Sequence, residues 1–93
     1  MFPLLNDVSH QPVRFELLAD AEPGLLPRTL APFARRDLVP DKLRARRDGA
    51  FLRVEIGMDA MPSEMLHVVE GNLRQIVGVQ RVTVTLYSAR QAA

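Results

Sequence analysis

The pair Asp48-Gly49 is the local feature that most constrains the fold of this chain. Both central residues of a type I′ turn need positive φ, and an Asp-Gly pair tolerates that conformation. We therefore predict a β-hairpin with a two-residue loop. Its register aligns apolar residues on one face, pairing Leu43 with Val54 and Ala45 with Leu52. The same register sets Arg44 opposite Arg53, a like-charge pair that costs stability unless a carboxylate intervenes.

Strand-like alternation of apolar and polar residues occurs near both ends of the chain. The residues predicted to face the core from the first strand are Val13, Phe15, Leu17 and Ala19. Those predicted to do so from the last strand are Val82, Val84 and Leu86. With the hairpin, the chain therefore has four predicted strands.

Helical spacing of apolar residues occurs on either side of the hairpin. The core face predicted for the first helix consists of Leu26, Leu30, Phe33 and Ala34. The core face predicted for the second, which begins near Pro62, consists of Met65 or Leu66, Val69, Leu73 and Ile76. The order βαββαβ predicts an α+β, ferredoxin-like fold, with a four-stranded antiparallel sheet and two helices on one face.

Composition limits the number of domains and the classes of site. A chain of 93 residues with 47% hydrophobic side chains supports one core, which we assign to residues 12–87, between an N-terminal tail at 1–11 and a C-terminal tail at 88–93. The sequence contains no cysteine and two histidines, which excludes disulfides and a conventional zinc site. We expect no metal and no cofactor.

Charge and hydropathy bear on partners and location. The net charge of +1 disfavours a nucleic-acid partner, and no apolar run approaches the roughly 18 residues of a membrane span. The expected open face of the sheet carries one aromatic side chain, Phe51, which is a poor platform for stacking bases. A basic patch of Arg44, Arg46 and Arg47 remains the alternative. We expect a cytoplasmic protein.

The loop between the first strand and the first helix is the candidate site. It runs from Asp20 to Leu26 as Asp20, Ala21, Glu22, Pro23, Gly24, Leu25 and Leu26. Unpaired N–H groups and the positive dipole end of a helix N-terminus can hold a small carboxylate, and the amides of Gly24, Leu25 and Leu26 are the candidate donors. The alternative is a plain turn punctuated by proline and glycine. No nucleophile, base or carboxylate pair converges, so we predict that the chain is not an enzyme.

Three stretches carry a resemblance to a known family. They are Asp20-x-x-Pro23-Gly24-x-Leu26-x-Arg28, Phe33-Ala34-Arg35-Arg36, and the run from Asn72 to Val82, NLRQIVGVQRV. Over residues 12–86 the chain resembles an ACT domain, and specifically the regulatory subunit of acetolactate synthase in its short form with a single ACT domain.

The resemblance implies a homodimer joined through first helices and edge strands, with branched-chain amino acids bound where the chains meet. It adds Val39 and Pro40 to the candidate site. Ala21 and Val39 stand where valine-responsive members carry asparagines, and Asp37 stands where a glycine usually follows the helix, a position at which a left-handed residue is expected.

The function implied is a non-catalytic regulatory module. It would bind a small amino acid at a homodimer interface and regulate an amino-acid biosynthetic enzyme such as acetolactate synthase. The alternative is a ligand-free dimerisation domain that docks onto a partner protein.

Overall fold

A computed structural model describes residues 9–87 and contains four strands and two helices. In chain order the elements are β1 (His10–Asp20), α1 (Leu25–Ala34), β2 (Lys42–Asp48), β3 (Phe51–Pro62), α2 (Ser63–Arg74) and β4 (Val79–Leu86). The strands form one antiparallel sheet in the order β2-β3-β1-β4. This confirms the predicted βαββαβ fold. The predicted tails lie largely outside the described residues, but β1 includes His10 and Gln11 of the expected N-terminal tail.

β1 lies at the centre of the sheet and supplies much of the core. Its residue Leu17 pairs with Val54 of β3 on one side and with Val82 of β4 on the other. Its four predicted core residues, Val13, Phe15, Leu17 and Ala19, are all buried. The ring of Phe15 meets that of Phe33 from α1 edge to face, with centroids 5.4 Å apart, a favoured aromatic geometry.

The β2–β3 hairpin is present, but its predicted register is wrong. Leu43 faces Ile56 and Ala45 faces Val54, and the loop is Gly49-Ala50. Gly49 has a φ of 64° and Ala50 does not have a positive φ, the combination of signs in a type II′ turn. Because such a turn needs positive φ only at its first central residue, Asp48 stays in the strand.

This register redistributes the arginines of the hairpin. Arg44 faces Glu55, and Arg53 faces Arg46 instead. The carboxylate of Asp48 lies 3.2 Å from Nε of Arg53 and offsets that like-charge pair.

The core face of α1 differs from the predicted one. Its buried residues are Leu25, Thr29, Pro32 and Phe33, whereas Leu26 and Leu30 are half-buried and Ala34 is exposed. Thr29 can be buried because its hydroxyl donates a hydrogen bond of 2.7 Å to the Leu26 carbonyl. The helix is therefore rotated by about one residue, 100°, from the predicted orientation.

The end of α1 is a Schellman motif. The N–H of Leu38 donates to the Phe33 carbonyl at 2.9 Å, and that of Asp37 donates to the Ala34 carbonyl at 3.1 Å. Asp37 has a φ of 56°, which confirms the left-handed residue expected there. The motif packs Leu38 against the core and leads the chain toward β2.

α2 begins at Ser63, with Pro62 as its N-cap residue. Val69 and Leu73 are buried, and Met65, Leu66 and Ile76 pack around them, as the apolar spacing predicts. Within residues 9–87, neither helix has the length and apolar character needed to cross a bilayer.

Substitution by alanine at two glycines near the end of α2 should change the free energy of unfolding in opposite directions. Gly71 lies inside the helix with open space at its Cβ position, so Gly71→Ala should raise the free energy of unfolding by roughly 1 kcal/mol. Gly78 has a φ of 99°, so Gly78→Ala should lower it by about 1 to 2 kcal/mol. Urea denaturation measures both, and a stabilising Gly78→Ala would contradict the backbone geometry.

Candidate functional site

The predicted loop is anchored at its start by two neighbouring segments. The N–H of Asp20 donates to the Gly78 carbonyl at 2.8 Å, and that of Ala21 donates to the Ala50 carbonyl at 3.0 Å. The side-chain amide of Gln80 also donates to Oδ1 of Asp20 at 3.0 Å. The loop is therefore held between the start of β4 and the hairpin turn.

The three candidate amide donors are not equivalent. The N–H of Leu25 already donates to the Glu22 carbonyl at 3.1 Å, which corrects its assignment as a free donor. Among residues 9–87, the N–H groups of Gly24 and Leu26 have no acceptor. Gly24 is the N-cap residue of α1 and has no side chain to satisfy them. Two amides at the positive end of α1 thus remain available to an anion.

Arg28 covers this loop, a role that the sequence analysis did not assign. A Cβ added at Gly24 would lie 2.9 Å from Nη2 of Arg28, so the glycine makes room for the guanidinium. Nη1 of Arg28 lies 3.6 Å from a carboxylate oxygen of Glu22 and donates to the Val77 carbonyl at 3.3 Å. The four-residue spacing from Gly24 to Arg28, one helical turn, is the sequence signal for this contact.

The pairing of Arg28 with Glu22 is loose. Both side chains are nearly half exposed, and an exposed ion pair contributes about 0 to 1 kcal/mol. A competing carboxylate could therefore displace Glu22 at low cost.

Val39 and Pro40 lie away from the loop within one chain. They follow the C-terminal end of α1, whereas Asp20–Leu26 precedes its N-terminal end. A ten-residue helix is about 15 Å long, so this length separates the two parts of the candidate site. Val39 is 80% exposed and Pro40 is half-buried. One chain does not bring all the predicted site residues together.

Apolar residues of α1 and β2 lie on the side of the molecule that carries these two parts. Every residue of β2 is exposed, including Leu43 and Ala45 on the helix-facing side of the sheet. α2 packs against α1, β1, β3 and β4, so the opposite flank of α1 looks toward β2. We call the apolar residues of this side the edge strip: Leu26, Leu30, Ala34, Leu43 and Ala45.

Histidines and carboxylates do not gather into a metal site in the part of the chain described. No group of three or more metal-ligating side chains occurs there. His10 and His67 are both exposed and lie on different elements, β1 and α2.

Comparison with known families gives one match over most of the chain. The sequence profile of a family described as an ACT-like domain matches residues 6–91. No curated protein matches the sequence.

Solved structures share the fold at low identity. The ACT domain from GTP pyrophosphokinase of Chlorobium tepidum superimposes with a TM-score of 0.70 at 10% identity, covering 82% of this chain and 99% of that one. A homoserine dehydrogenase from Thiobacillus denitrificans gives 0.73 at 11% identity, over 86% of this chain and 18% of that chain. The C-terminal domain of the MgtC protein from Mycobacterium tuberculosis gives 0.69 at 14% identity, over 91% and 96%. At these identities the likeness concerns the fold.

Proposed function

The chain belongs to the ACT-like domain family, and from this we propose that it is a non-catalytic regulatory module that binds a small amino acid between two copies of itself. The observation that carries the proposal is that the two parts of the candidate site lie at opposite ends of α1. The loop at one end offers free amides, and the exposed Val39 at the other end offers an apolar surface. Each part is half of a site for a ligand with a carboxylate and an apolar side chain.

A two-fold axis beside β2 would join these halves. Pairing of two β2 edges sets the two α1 helices antiparallel, so the C-terminal end of one lies beside the N-terminal end of the other. Val39 and Pro40 of one copy then approach Gly24 of the second. The exposed residues Leu43 and Ala45 of the edge strip support this association, because an unpaired edge strand with apolar neighbours favours pairing with another strand.

The ligand would be held mainly by backbone groups. Its carboxylate accepts hydrogen bonds from the N–H groups of Gly24 and Leu26, and Arg28 turns from Glu22 toward it. Its apolar side chain packs on Val39 of the other copy. Without asparagines at 21 and 39, the ligand lacks partners worth about 1 to 1.5 kcal/mol each, so binding should be roughly a hundredfold weaker than with both amides.

The partner would be an enzyme of amino-acid biosynthesis, with acetolactate synthase as the specific candidate and the cytoplasm as the compartment. The loop motif from Asp20 to Arg28 and the run from Asn72 to Val82 support that candidate through their resemblance to its regulatory subunit. The GTP pyrophosphokinase and homoserine dehydrogenase structures support the coarser idea of a module attached to an enzyme. The second candidate is a ligand-free dimerisation domain that docks onto a partner protein, favoured by Ala21 and Val39, which supply no side-chain hydrogen bonds.

The chain should sediment as a homodimer at micromolar concentration. Leu43→Asp places a charge in the edge strip and should shift the protein to monomers. Val68→Asp on α2 is the matched control, since Val68 is 45% exposed and Leu43 is 44% exposed. A monomeric unmodified chain, or equal dissociation of both variants, would overturn the proposed dimer.

Isothermal titration against the twenty amino acids should give heat with branched-chain amino acids at millimolar concentration. Gly24→Val should abolish that heat, because its side chain displaces Arg28 and blocks the free amides. Its folding cost should be only about 1 kcal/mol, since φ of Gly24 is −87°. Ala60→Val, an exposed site on β3, serves as the control. A dimer that binds no amino acid would favour the ligand-free alternative.

The double variant Ala21→Asn with Val39→Asn should strengthen branched-chain amino-acid binding by roughly a hundredfold. The added amides would hold the polar ends of the ligand from both halves of the site. Titration measures the gain, and sedimentation checks that the variant is still a dimer. A folded, dimeric double variant with no gain in affinity would refute the proposed pocket.

A further inference from the structure

The face of the sheet opposite the helices carries ordered rows of charge. Register places Arg44, Glu55, Glu16 and Thr83 in one row across the four strands, and Arg46, Arg53, Leu18 and Arg81 in the next. We call the second set the arginine row. The two rows line a shallow concavity of about 760 Å³.

The carboxylates of this face are already engaged with other groups. Glu16 and Glu55 lie 3.7 and 3.8 Å from the guanidinium of Arg14, which also stacks 5.2 Å from the ring centroid of Tyr87. Asp48 pairs with Arg53. The carboxylates of Glu16, Glu55 and Asp48 are thus paired with Arg14 and Arg53.

Arg44, Arg46 and Arg81 are left without an acidic partner. No carboxylate in residues 9–87 lies within 4.0 Å of their guanidinium nitrogens, and all three residues are exposed. Arg46 also faces Arg53 directly across the β2–β3 pair, where the carboxylate of Asp48 contacts Arg53 and not Arg46. A cluster of arginines without acidic partners, on a chain whose net charge is +1, makes this surface electropositive and suited to binding an anion.

The spacing of the row limits the shape of that anion. Arg46 and Arg81 lie on the two outer strands, three strand spacings or about 14 Å apart. An extended peptide places residues i and i+4 about 14 Å apart, with their side chains on the same face. Leu18, on the central strand β1, offers an apolar contact between the two cations.

We propose that the arginine row is the docking surface for an acidic, extended segment of a partner protein. Two carboxylates four residues apart pair with Arg46 and Arg81, and an apolar side chain between them packs on Leu18, beside Arg53. This deepens the proposed function, on which it rests, by naming where the regulated enzyme is contacted. The surface lies on the opposite side of the sheet from α1, so docking leaves the amino-acid site accessible.

The charge pattern favours a peptide over the other occupants. A nucleic-acid backbone would bring its phosphates close to the carboxylates of Glu16 and Glu55, which repel them. A base stacked on the exposed Phe51 would lie beside Asp20 and Asp48, which face Phe51 in the register. A second copy of this chain would bring its own arginine row against this one. Discrete carboxylates at two points match the arginines and avoid the acidic row.

Fluorescence anisotropy with a labelled peptide, Glu-Ser-Leu-Ser-Glu, tests the assignment. The full chain should bind this peptide more tightly than Gln-Ser-Leu-Ser-Gln by about tenfold, and added salt should weaken binding. Arg46→Gln with Arg81→Gln should remove the difference between the peptides. Arg35→Gln with Arg74→Gln, which makes the same change in net charge on the helical side, should preserve it.

Three results would overturn the proposal: equal binding of the acidic and amide peptides, equal loss in both double variants, or binding of a short oligouridylate with none of the acidic peptide. Amino-acid titration of the Arg46→Gln, Arg81→Gln variant separates this surface from the proposed ligand site. Retained amino-acid heat with lost peptide binding supports both proposals. If the unmodified chain binds the acidic peptide but gives no heat with amino acids, only the proposed ligand site is refuted.

Discussion

Burial of one face of β1 is the constraint on which the rest of the molecule depends. This strand is hydrogen-bonded to β3 on one side and to β4 on the other. Its residues Phe15 and Leu17 are buried on the face of the sheet that the helices cover. A one-residue slip in either pairing would move that apolar face to solvent. The fixed register determines where Asp20 ends the strand, and with it the position of the loop that precedes α1.

β2, at one edge of the sheet, is exposed where β1 is buried. β2 is paired on one side, and all its residues are exposed, so Leu43 and Ala45 gain little from folding of the single chain. The buried side around β1 and α2 and the exposed side along β2 are therefore the two contrasting parts of the fold, and the proposed dimer would cover the exposed one. The Schellman motif at Asp37 contributes to this division by directing the exposed Val39 outward at the end of α1.

Strong alternation made β1 predictable from sequence, because Val13, Phe15, Leu17 and Ala19 all fall on one face of the strand. The face of α1 was mispredicted because apolar residues lie on two sides of that helix and Thr29 counts as polar, although its hydroxyl is satisfied by the Leu26 carbonyl. The hairpin register was wrong because Gly49 alone supplies the positive φ that its turn needs. The contact of Arg28 with the loop was not predicted because the helical spacing places Arg28 near Gly24 but does not show that its guanidinium folds back over the glycine.

The central claim is that two copies complete one site, and pairwise disulfide formation tests it most directly. The natural sequence has no cysteine, so Ala21→Cys and Val39→Cys chains each carry a single thiol. A disulfide needs Cα atoms about 4.4 to 6.8 Å apart, which the length of α1 prevents within one chain. On mild oxidation, mixing a tagged Ala21→Cys chain with Val39→Cys should give a covalent heterodimer faster than either chain gives a covalent dimer alone. No excess of heterodimer over the separate chains would contradict the account.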